Sequence, residues 1–65
     1  MSVKQGNTVR ISVKDGLFIR DIKGLVQEVD DNNRILTILA EGESESWGFS
    51  YDMLIKVKKI KVKKE

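Results

Sequence analysis

Apolar residues fall at every second position along much of this chain, and that period narrows its possible folds more than any other feature. Val9, Ile11 and Val13 alternate with Arg10, Ser12 and Lys14, the pattern of an extended strand with one buried and one wet face. Val and Ile are abundant and Pro is absent, so β-branched residues can pair their backbones without interruption. At 65 residues the chain can hold one small domain, and a domain of this size buries only about 60% of its unfolded surface. There is no Cys and no His, which leaves neither a disulfide nor a typical zinc site to staple the fold. Apolar burial and strand pairing must supply the stability.

Asp15 and Gly16 supply a turn after the first strand, and residues 17–23 read as an irregular loop anchored by Leu17, Phe18 and Ile22. Gly24 opens a second strand over residues 24–30, in which Val26 and Val29 lie three apart and need a bulge or sharp bend to share a face. Gly16 suits a turn of positive φ, and Gly24 suits a close crossing of strands. Asp31, Asn32 and Asn33 form a hairpin turn in which Asn tolerates positive φ. Residues 34–40 read as a third strand whose Ile-Leu-Thr-Ile-Leu centre is expected to be covered on both sides.

After a second turn over residues 41–45, Trp47, Phe49 and Tyr51 alternate with Gly48 and Ser50 as a fourth strand. These aromatics are expected inside a small core, the alternative being an exposed row that stacks bases or grips a peptide. Tyr51, Asp52, Met53 and Leu54 suit a single helical turn before a fifth strand begins at Ile55 and Val57. Ile60 and Val62 then change parity, so either a bulge sits at Lys58 and Lys59 or the strand ends there. The expectation taken is a domain over residues 1–58 and a basic C-terminal tail over 59–65. Together these elements argue for an all-β protein, a single small five-stranded antiparallel barrel or roll with one short helical turn before the last strand.

The same absences bear on function. Without imidazole or thiol, the chain lacks the usual acid, base or nucleophile for neutral pH, so the expectation is a non-catalytic protein with no cofactor and no small-molecule substrate. Asp30 with Asp31, and Glu41, Glu43 and Glu45, sit beside turn residues and read as solvated loops, without the spacing of a calcium loop. No run approaches the roughly 20 apolar residues of a membrane span, and the first residues alternate instead of forming a signal-peptide core. A cytoplasmic location is expected from the absence of Cys.

Charge is unevenly placed. Residues 1–54 hold six basic and nine acidic groups, net −3, whereas residues 55–65 hold six Lys and one Glu, net +5. Lys56, Lys58, Lys59, Lys61, Lys63 and Lys64 could neutralise phosphates together with Arg10, Arg20 and Lys23. They could equally guard the edge of the last strand. Phe18 is the aromatic expected to be partly exposed, and with Arg20 and Lys23 it could form a contact surface. Two functions follow: weak electrostatic binding of RNA or DNA, or a protein-interaction adaptor that uses the 15–22 loop and the acidic 41–45 turn. In either case a monomer or weak dimer is expected.

The stretch Gly6-Asn7-Thr8-Val9-Arg10-Ile11, then Gly16, then Lys23-Gly24-Leu25-Val26-Gln27-Glu28-Val29-Asp30 resembles the KOW motif of transcription-elongation factors and several ribosomal proteins. In that motif a Gly-x-x-Val-x-Ile entry leads through a glycine loop to Gly-x-Val, and the resemblance covers roughly residues 6 to 40. The aromatic strand followed by Tyr51-Asp52-Met53-Leu54 is similar to the fourth strand, helical turn and fifth strand of SH3-like barrels. What the resemblance implies is an SH3-like barrel acting as a binding module within a ribosomal or transcription-related assembly.

Overall fold

Alternation in the first strand becomes a one-sided core. In the computed structural model, which describes residues 1–61, β1 (Thr8–Asp15) buries Val9, Ile11 and Val13 and exposes Arg10 and Lys14. It is followed by β2 (Phe18–Asp30), β3 (Ile35–Ala40), β4 (Trp47–Ser50), a 3-10 turn (Tyr51–Met53) and β5 (Leu54–Ile60). The strands form one five-stranded sheet in the order β4-β3-β2-β1-β5, and every neighbouring pair is antiparallel. Among the described residues no backbone pairing joins β4 to β5, so the ladder is open and these two strands are its edges.

The buried residues are Val3, Val9, Ile11, Val13, Val26, Leu36 and Ile38, with Ile22, Val29, Phe49, Tyr51, Leu54 and Val57 packed against them. Val26 pairs with Ile38 and Val29 with Leu36, and the register shifts between Val26 and Glu28. The expected bulge is therefore present, with Gln27 as the extra residue that returns Val29 to the core face. Gly24 is buried where β2 meets β3: a Cβ there would collide with the Leu39 carbonyl oxygen and lie 2.8 Å from the Ala40 Cα. The helical turn forms where expected. Ser50 caps it, its Oγ accepting from the Asp52 N–H at 3.3 Å.

Four expectations are corrected. Residues 17–23 are not an irregular loop, because Gly16 at φ 62° closes a two-residue turn that pairs Asp15 with Phe18. From there β2 runs unbroken for 13 residues. Positive φ in the β2–β3 turn falls on Arg34 at 57°, while Asn33 stays outside that region and bonds the Asp30 carboxylate through its backbone N–H at 3.0 Å and its Nδ2 at 2.8 Å. β3 is fully covered on one side only: Leu36 and Ile38 are buried, Thr37 and Leu39 are half-buried, and Ile35 is exposed.

The fourth correction concerns the C-terminal boundary. Lys59 and Ile60 belong to β5, paired with Val9 and Thr8. The register shifts earlier in the strand, since Ser12 pairs with Lys56 and Val13 with Leu54, which leaves Ile55 as the extra residue. Ile55 is exposed as a result. The later parity change is not absorbed, and Ile60, opposite Thr8, falls on the Arg10 face. Of the expected tail, residues 62–65 lie outside the described residues.

Candidate nucleic-acid interface

Register gathers the cations. β1 turns Val9, Ile11 and Val13 inward, so Arg10, Ser12 and Lys14 point outward. Arg10 lies opposite Lys23 of β2 on one side and Lys58 of β5 on the other. One row across three adjacent strands therefore reads Lys23, Arg10, Lys58. The next row reads Asp21, Ser12, Lys56, in which the Ser12 hydroxyl donates to the Asp21 carboxylate at 2.6 Å. Arg10, Lys23, Lys58, Lys59, Ile60 and Lys61 together line one shallow depression.

Like charges placed directly opposite in a sheet are unfavourable. At about 5 Å in a water-like dielectric each adjacent pair costs about 0.8 kcal/mol before salt screening. One carboxylate relieves the row, Glu41, whose Oε2 lies 3.5 Å from the Lys23 Nζ. Among the described residues no acidic group comes within salt-bridge distance of Arg10, Lys56 or Lys58.

The other expected site residues lie elsewhere. Arg20 pairs with Val13 and so faces away from Arg10 and Lys23; its guanidinium is 3.8 Å from Asp15. Phe18 shares the Arg20 parity, and the surface expected of Phe18, Arg20 and Lys23 is thus divided between two sides of the sheet. Lys63 and Lys64 lie outside the described residues. Trp47 is not core but 59% exposed, at the start of the four-residue edge strand β4. Phe49 and Tyr51 are half-buried against the core as expected. Arg20, Ile22, Ile38, Ala40, Trp47 and Phe49 line a cleft of about 130 Å³, together with Glu43 from the acidic turn.

Tyr51 contributes to a clasp that sequence reasoning did not reveal. Its hydroxyl donates to Asp31 Oδ1 at 2.7 Å, the Met1 ammonium lies 3.5 Å from the same oxygen, and the Arg34 guanidinium sits 5.7 Å from the Tyr51 ring centre. Arg34 also bonds Asp52 at 2.9 Å. Accepting the phenol hydrogen bond lowers the Asp31 carboxyl below its usual range. Desolvation, followed by the Asp31 bond, pushes the Tyr51 hydroxyl up to about 12. Asn33 likewise lowers Asp30 through its side-chain and backbone hydrogen bonds.

Ser12 and Asp21 were also missed as members of the cationic face. β1 parity made Ser12 visible as an outward residue, whereas Asp21 became legible only with the β1–β2 register. Among the described residues no helix is long and apolar enough to cross a membrane. Compared with known proteins, the chain matches no family model, no curated protein and no solved structure.

Proposed function

We propose that this protein is a non-catalytic nucleic-acid-binding module of the KOW-type, SH3-like barrel class, working by electrostatic contact within a ribosomal or transcription-related assembly. The observation that carries the reading is the Lys23, Arg10, Lys58 row with Lys56 beside it on one sheet face. Lysine on an edge strand protects against aggregation, and that explains β5. It does not explain Arg10, which lies on the interior strand β1 between two other cations. A phosphate backbone offers these groups the counter-charge that the sheet does not. The barrel class is supported by β1 lying between β2 and β5, by a long bulged β2 that pairs first with β1 and then with β3, and by the single 3-10 turn before β5.

Fluorescence anisotropy with labelled oligonucleotides tests this. If about three phosphates are contacted on duplex DNA, affinity falls about 40-fold between about 50 and about 200 mM salt. Arg10→Glu and Lys58→Glu each weaken binding and flatten the salt dependence. Unchanged binding by both variants removes the proposal.

A second reading rests on the β1–β2 hairpin tip, where Leu17 is 98%, Phe18 75% and Ile19 66% exposed. Exposed apolar clusters mark contact surfaces, and Arg20 from this arm lines one cleft with Glu43 of the acidic turn. A protein-interaction adaptor would dock through that side, and Phe18→Ser would abolish partner capture while leaving oligonucleotide binding intact.

A further inference from the structure

We infer that the cationic face takes the sugar-phosphate backbone of a duplex in preference to a single strand, an inference that rests on the nucleic-acid reading above. The first ground is the placement of the aromatic residues. Phe18 shares the parity of Arg20, which pairs with the buried Val13; Phe49 and Trp47 pair with the buried Leu36 and Ile38, and Tyr51 packs against the core. None of the four lies on the face that carries Arg10, Lys23, Lys56 and Lys58. Proteins that hold single strands without regard to sequence draw about 1–3 kcal/mol per base from stacking on aromatic side chains. That contribution is missing where the charges are, so charge density decides the preference.

Charge density favours the duplex, which carries one negative charge per about 1.7 Å of axis and releases more counterions per contact than a single strand. The shape of the patch agrees. Neighbouring strands are about 4.8 Å apart and alternate residues along a strand about 6.7 Å apart. Lys23, Arg10 and Lys58 thus span about 10 Å across the strands, and Lys56 extends the patch along β5. A patch extended in two directions meets more phosphates on a duplex, with its two backbones, than on the narrow track of one strand. Pairing on both sides of β1 holds the patch before any ligand arrives, so little ordering cost is added on binding.

Asp21 bears on selectivity. Its carboxylate is held by Ser12 on the same face, where it repels phosphate from the β2 side of that row and leaves Lys56 on the β5 side to extend the contact. The contacts are made to backbone, which carries no sequence information directly, so recognition is blind to sequence.

The test is an anisotropy titration of the full chain against duplex DNA, duplex RNA and unstructured single strands of equal length at matched salt. Either duplex should bind about fourfold more tightly than its single strand at about 0.1 M salt if about three phosphates are contacted, with sequence changes making little difference. Lys58→Glu should remove most of that advantage, with circular dichroism confirming an intact sheet, and Trp47→Ala should leave duplex affinity unchanged. Single strands that bind equally well or better, or a Trp47→Ala variant that loses duplex affinity, would overturn the duplex inference while leaving nucleic-acid binding in place. Binding to polyglutamate with no binding to any oligonucleotide would overturn both, assigning the face to an acidic protein surface.

Discussion

Between residues 18 and 23, β2 has a single strand neighbour, β1; at Gly24 and Leu25 it pairs with both β1 and β3, and beyond them with β3. The first half leaves Phe18 and Ile19 exposed, while the second half buries Gly24 and Val26. Both halves are strand and hydrogen-bonded to a neighbour, so backbone pairing alone does not bury a side chain. Burial requires a second layer over the face, and the chain supplies one only to the second half, where Leu36, Ile38 and Phe49 close over the core. The first half is thereby an arm with apolar residues at its tip, and one end of its outward face joins the cationic patch through Lys23.

The largest expected effect that separates the halves is at Gly24. Gly24→Val drives its side chain into the Leu39 carbonyl and the Ala40 backbone, and the variant should show no cooperative unfolding transition by circular dichroism. Next, Ile38→Ala opens a cavity against Val26 and should cost about 2–5 kcal/mol in urea denaturation. That approaches the whole stability of so small a domain, at roughly 0.05–0.15 kcal/mol per residue. On the arm the same experiment should read almost nothing, with Leu17→Ser and Phe18→Ser staying within about 0.5 kcal/mol of the wild type. A large loss from either arm variant would show that the tip is packed and would dissolve the contrast.

A smaller effect tests the end of the buried half, where Asp31 accepts from Tyr51. Because the Asp31 carboxyl is lowered from 3.8, its contribution is present above that value and is lost as pH falls through the lower folded value. Because the Tyr51 hydroxyl is raised from 10.0 to about 12, its contribution is present below pH 10 and is lost as pH rises towards 12. Thermal midpoints should therefore decline at both extremes, and Tyr51→Phe should lower the midpoint at neutral pH and flatten both declines. An unchanged profile would exclude the clasp.

The smallest expected change in stability is on the cationic row. Arg10→Ser removes a like-charge neighbour from both Lys23 and Lys58, so the unfolding midpoint should hold or rise slightly, within about 0.5 kcal/mol. Oligonucleotide affinity should fall in the same variant. A clear loss of stability instead would mean that Arg10 is there to hold the sheet together.

Much of the fold was legible before any coordinates. The parity of Val9, Ile11 and Val13, the three-residue spacing of Val26 and Val29, the small residue at Gly24 and the helical turn at Tyr51 all report local backbone demands that side-chain identity reveals. The start of β2 was not legible, because Leu17, Phe18 and Ile19 break the alternation that marks a strand; their strand geometry comes from β1 across a two-residue turn. Nor was the extent of β5, since Thr8 and Val9 hold Ile60 and Lys59 in the ladder despite the broken pattern. Trp47 was expected inside because of its size, and it is exposed because its strand lies at an edge.

For the candidate site, the chain by itself determined which residues are cationic and, through the two-residue period of β1, that Arg10 faces water. Only the tertiary structure decided that Lys23 and Lys58 flank Arg10, that Arg20 is excluded, and that the aromatics fall on the other side. The physical reason is that strand parity is a local property, set by the steric alternation of each residue with its neighbours. Which residues stand opposite one another is set by register between segments that lie up to 52 positions apart, and that register is chosen by the joint burial of the core.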